Sequence, residues 1–137
     1  MGLLDRLRDR DLVPGSDRAN LDREGVVVDE RNVSLTVRFE DYRAPGRRHV
    51  RRHTRFRGAL VVTRQRLVVF MGSERLLDAP FSSAGTREVD LRASGAGLEI
   101  GFDAGRLDPR RSGRVDMVAR VAEPQRVLDH VRGRLTS

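Results

Sequence analysis

Residues 47–57 read RRHVRRHTRFR, with six arginines and two histidines in eleven positions. Arginine forks match the oxygens of phosphates and carboxylates bidentately, and several such contacts to a polyanion add through counterion release. The chemistry on offer is anion docking, not bond making. His49 and His53 stand four apart, a spacing that shares a metal on a helix but sets side chains roughly 13 Å apart on a strand. No metal site is expected from them. They would instead add charge to the run in mild acid.

The rest of the sequence offers no catalytic apparatus. It contains no cysteine, which removes disulfides, thiolate zinc sites and cysteine nucleophiles together. A nucleophile elbow, a glycine-rich phosphate loop ahead of a helix and an HExxH pair are all missing from it. The glycines of Ala93-Ser94-Gly95-Ala96-Gly97 lie between expected strands and read as a turn. We expect a protein that is not an enzyme, with no cofactor and no evident small-molecule substrate.

Charge is segregated along the chain. All 27 basic residues are arginine, which a GC-rich coding bias would explain as well as selection does, so position carries the information. Residues 1–42 hold seven arginines and ten acids, residues 43–75 hold ten arginines and one acid, and residues 76–137 hold ten and nine. The middle segment more than accounts for the net charge of +7.

Elements that would position the run follow from periodicity. At 137 residues the chain suits one domain. Over residues 2–12, Leu3, Leu4 and Leu7 fall on one side of a short amphipathic helix, which Pro14 and Gly15 end; residues 14–24 read as linker or arm. The period then becomes two, with Val33, Leu35, Val37 and Phe39 on one face of a strand. After a turn at residues 43–46, an extended reading of the run sets Arg47, His49, Arg51, His53, Arg55 and Arg57 on one basic face, with Val50, Thr54 and Phe56 on the other. Arg48 and Arg52 interrupt that apolar side. A helix would scatter the charges and leave no stripe.

GALVVTRQRLVVF follows as a hairpin, with Gly58 expected at a bulge where a long strand bends. Shorter strands are predicted over residues 75–79, 87–92, 98–102 and 115–121. Pro124, Glu123 and the stripe Val127, Leu128, Val131 and Leu135 mark a final amphipathic helix, with His130 off the stripe and facing solvent.

Seven strands closed by a C-terminal helix, together with the G-x-L-x-x-T-x-x-R-L-x-x-F pattern over residues 58–70 and the Leu77-Asp78-Ala79-Pro80-Phe81 strand end, resemble GRAM-like and small bacterial pleckstrin-homology-like domains. The resemblance spans residues 33–135. It implies a partly open barrel of two antiparallel sheets capped by the helix, as residues 25–137, behind an N-terminal helix and arm over residues 1–24. It also implies a binding or scaffold role toward anionic membrane surfaces, phosphoinositides or protein segments. Lipid-binding members carry lysines in the loop between the first two strands; here Arg43, Arg47 and Arg48 stand near that place.

The leading expectation is a non-enzymatic module that docks an anionic partner, a membrane surface or an acidic protein, through the basic strand. A self-assembling module that pairs acids of the N-terminal third (Asp5, Asp9, Asp17, Asp22, Asp29, Glu30) with a neighbour's run is the first alternative. A nucleic-acid binder is the second, set lower because Phe56 and Tyr42 are the only aromatics near the run to stack on bases. No stretch approaches the roughly 18 apolar residues of a membrane span, so the expected location is the cytoplasm, with peripheral attachment to a membrane as the lipid-binding variant.

Overall fold

In a computed structural model, which describes residues 12–135, the two-residue period of the sequence resolves into a single curled sheet. The elements in chain order are helix α1 (Gly15–Glu24) and strands β1 (Val26–Ala44), β2 (Arg47–Thr63), β3 (Arg66–Met71) and β4 (Glu74–Pro80), then β5 (Asp90–Ser94) and β6 (Gly97–Asp103). A short helix α2 (Ala104–Leu107), strand β7 (Ser112–Ala119) and helix α3 (Pro124–Leu135) complete it. The amphipathic helix expected around Leu3, Leu4 and Leu7 lies outside the described residues.

All seven strands belong to one antiparallel sheet in the order β4-β3-β2-β1-β7-β6-β5, a half-barrel and not the two sheets expected. The reason is strand length. β1 has 19 residues and β2 has 17, so this hairpin reaches β3 at one end and β7 at the other without a break in the ladder. Curvature comes from β1, whose pairing slips against β2 between Glu30 and Val33 and against β7 between Glu40 and Arg43. Asn32 (φ 56°) and Asp41 (φ 49°) lie in those slips, and Asn and Asp are the side chains that best tolerate left-handed backbone.

The expected bulge at Gly58 therefore sits on the opposite strand. Gly58 is needed for another reason: a Cβ there would lie 1.8 Å from the Phe70 carbonyl oxygen, so only glycine lets β2 approach β3 this closely.

The concave face of the half-barrel holds the main core. Val33, Leu35, Val37 and Phe39 of β1 meet Ile100 and Phe102 of β6, Val115 and Met117 of β7, and the Val127, Leu128 and Val131 stripe of α3. A second cluster lies on the convex face, where Ala59, Val61, Val68 and Phe70 are covered by Val13 and Leu21. This overturns the reading of residues 14–24 as linker. The near-continuous apolar runs of β2 and β3 are buried on both faces, and α1 supplies the outer cover. Pro14 precedes it and Gly25 ends it at φ 87°, the Pro-first, Gly-last asymmetry of helices. Leu21 is fully buried, and a leucine so placed contributes roughly 1.5–3 kcal/mol.

Salt bridges fix α1 to the hairpin beneath it. Glu24 accepts from Arg66 Nε (2.9 Å) and from the Thr63 hydroxyl (2.9 Å), and Asp17 pairs with Arg75. Asp78 joins the two arginines, at 3.1 Å from Arg66 and 2.9 Å from Arg75. Burial alone would raise the Glu24 carboxyl, but the bonds from Arg66 and Thr63 and the charges of Arg66 and Arg75 outweigh it, and its pKa falls. The same bond, donated by Arg66 to the Glu24 carboxylate, raises the pKa of Arg66.

Two smaller expectations shift. The fifth strand begins at Asp90, because a 3-10 turn (Ala84–Glu88) occupies the preceding residues, held by the Thr86 hydroxyl donating to the Pro80 carbonyl. His130 is half-buried, not solvent-facing; burial, then the charges of Arg134 and Arg126, push its pKa down. Among the described residues no helix is long and apolar enough to cross a membrane.

Candidate functional site

The basic run occupies the first part of β2, and the second part of the same strand shows what the run lacks. Residues 58–62 pair with β3 on one side and, except at Ala59 opposite the slip in β1, with β1 on the other. Gly72 N–H then donates to the Arg57 carbonyl at 2.8 Å, and there β3 ends its contact with β2. From Arg57 toward the hairpin tip, β2 is paired with β1 alone among the described strands. The run is an edge of the sheet.

Cross-strand register sorts its side chains. Arg51 stands opposite Glu40, His53 opposite Arg38, Arg55 opposite Thr36 and Arg57 opposite Ser34. Directly opposed residues share a face, so these four lie in one row on the face away from Leu35, Val37 and Phe39. Arg38 joins the row from β1. It was not singled out from sequence, although its place on the polar face of the first strand was the available signal. Its charge is met by Glu40 at 2.7 Å, which leaves that acid less available to Arg51.

Two of the six residues expected on the basic face are engaged elsewhere. His49 is half-buried and packs on the Phe39 ring (centroids 5.1 Å apart) and the Tyr42 ring (6.1 Å, stacked). The irregularity at Asp41 turns Tyr42 into the core, and His49, directly across from it, goes with it. Arg47 reaches the start of β4 and pairs with Glu74 at 2.7 Å. On the apolar side, Arg52 lies over the half-buried Phe56 ring, 6.0 Å from its centroid, a cation–π contact.

What remains is charge without a counter-charge. Among the described residues Arg48, Arg51, His53 and Arg55 make no ion pair and no side-chain hydrogen bond, and all four are exposed. Arg57 donates to the Asn32 carbonyl at 3.3 Å. On the other strands most arginines are matched, Arg92 with Glu99 (2.9 Å) and Arg114 with both Asp90 and Asp116 (3.0 Å each), whereas Arg43 at the end of β1 and Arg64, Arg87 and Arg120 outside the strands have no ion pair among the described residues.

Those matched pairs line an open cleft of about 460 Å³ on the convex face of β1, β7, β6 and β5, whose rim includes Arg38 and His53. Its acids and arginines neutralise one another, so the cleft offers little net attraction for a charged ligand. The unmatched charge sits beside it, on the edge. No protein-family model and no curated protein matches this chain.

Proposed function

We propose that the protein is a non-enzymatic binding module that docks an anionic partner along the first part of β2. The observation that carries this reading is the row of Arg51 and Arg55, exposed and without an ion-pair partner among the described residues, in a molecule whose other strand arginines are largely paired. Like charges on neighbouring positions of one strand are mildly destabilising, so such a row is maintained at a cost that a ligand would offset. Arg57, His53 and Arg38 extend the row.

The pleckstrin-homology-like reading belongs to the same proposal. Seven consecutive antiparallel strands, the residue 58–70 hairpin and the helix that closes the core after β7 support it.

The alternatives fare less well. Asp17 and Glu24 of the N-terminal third already hold Arg75 and Arg66, and Asp29 pairs with Arg18 at 3.2 Å. Those acids are committed within the chain and offer little to a neighbour's run. Base stacking, which a single-strand nucleic-acid binder needs, finds Tyr42 buried and Phe56 lying under Arg52.

The test is co-sedimentation with anionic and with neutral vesicles, and retention on immobilised poly-glutamate, each across a salt series, for the wild type and the Arg51→Ser/Arg55→Ser double variant. We expect salt-sensitive binding to at least one anionic surface and its loss in the double variant. Equal behaviour of the two proteins on every surface overturns the proposal.

A further inference from the structure

We infer that the partner is an acidic extended peptide, added as an extra strand to the open edge of β2; the inference rests on the anionic-docking reading above and names its ligand class. Two independent observations meet at the same residues. The first is the main chain. In an antiparallel strand the N–H and C=O of one residue point to the same side, and the side alternates along the chain. The Arg57 carbonyl accepts from Gly72 on the side away from β1. Arg55, His53 and Arg51 therefore present their N–H and C=O groups to that same side, where no described strand pairs with them.

Unpaired edges are usually blunted by proline, a bulge, shortness or a covering element. Residues 47–57 contain no proline and no positive φ, form part of a 17-residue strand, and are exposed except at the half-buried His49, Thr54 and Phe56. Among the described residues only charge guards this edge. Charge rejects a second copy of the same edge, since rows of arginine would be brought side by side, and it selects a strand of opposite sign.

The second observation is the pattern of side chains. On the convex face Arg51 and Arg55 are roughly 13 Å apart, with His53 between them, so carboxylates at alternate positions of an added strand meet the row in register. The other face of the same residues offers Arg52 over Phe56 and the half-buried Thr54, which suits an apolar residue between the acids. The ligand class is thus a segment of five to seven residues that alternates Asp or Glu with Val, Ile or Leu. A membrane or a nucleic acid would meet the arginine side chains but leave the edge amides unpaired, and so uses only half of what the edge presents.

The test uses fluorescence anisotropy with the full chain and four labelled peptides: an alternating Glu/Val heptamer, a block-ordered heptamer of the same composition, and two versions of the alternating heptamer N-methylated at every second residue, one in each phase. Amide hydrogen exchange of the complex is followed at Arg51, His53 and Arg55. We expect the alternating peptide to bind at least tenfold tighter than the block peptide, one N-methylated phase to lose at least tenfold and the other little, and the three amides to slow at least tenfold. The Arg51→Ser/Arg55→Ser variant should lose at least tenfold in affinity. Equal binding of alternating and block peptides, or unchanged amide exchange in a saturated complex, overturns strand addition while the anionic-docking reading stands. If anionic vesicles bind and no peptide does, this inference fails and a membrane is the partner. If neither peptides nor anionic vesicles nor poly-glutamate bind, both readings fail.

Discussion

One strand, β2, carries two contrasting regions that meet at Gly58. After it, Ala59 to Val62 are fully buried, lie between β1 and β3, and belong to the core clusters on the two faces of the sheet. Before it, six arginines run along an edge with one neighbour among the described strands. The arginines of the protein divide in the same way. Arg66 and Arg75, under α1, are set among Glu24, Asp17 and Asp78 and work as structural clamps. Arg51 and Arg55 meet no acid of their own chain among the described residues. The residue type is identical; what differs is whether the fold supplies the counter-charge or leaves it to a partner.

The contrast breaks most easily at α1. Leu21→Ala should cost roughly 3–4 kcal/mol of stability by urea denaturation, as for other fully buried leucines, whereas a loss under about 1 kcal/mol would show that the outer cover is ornamental. Gly58→Ala, which drives a methyl into the Phe70 carbonyl, should cost roughly 2–3 kcal/mol and mark the junction between the two regions.

Glu24→Gln should cost about 1–2 kcal/mol near neutral pH by weakening a partly buried ionic hydrogen-bond set. Its sign with pH is fixed: the folded carboxyl sits below its ordinary value of 4.5, so its stabilisation is complete above that value and is lost as the pH falls through the folded value. Acid titration of both proteins should therefore show the gap between them closing below about pH 4.5. The smallest effect is expected on the open edge, where Arg51→Ser/Arg55→Ser should change stability by no more than about 0.5 kcal/mol in either direction. A larger loss would mean that these arginines are structural after all.

Much of this division was legible in the residues, and what was not has physical causes. The one-sided strands and the final helix announce themselves by period, because each buries one face against the core, and the residue 58–70 hairpin by its two apolar runs about a polar turn. Helix α1 has no such stripe, since Leu21 alone among its residues is buried. The clue lay elsewhere, in the double-sided apolar pattern of Ala59, Leu60, Val61 and Val62, which demands a cover on each face. One sheet in place of two depends on how far β1 and β2 extend, a long-range property that local pattern does not encode. Alternation sets Arg51, His53, Arg55 and Arg57 on one face, as the cross-strand register has them, but says nothing of the open edge, which depends on where β3 ends, nor of His49, which leaves the row through the left-handed residue Asp41.

The clamp on α1 also sets an order of events in folding. Glu24 is separated from Arg66 by 42 residues, and the surface that Leu21 covers does not exist until β2 and β3 have paired. A ten-residue helix with one apolar anchor has too little of its own to persist in water. α1 is synthesised before the hairpin, yet it has nothing to settle on until the hairpin has been made, so it is secured later than the strands that follow it in the chain.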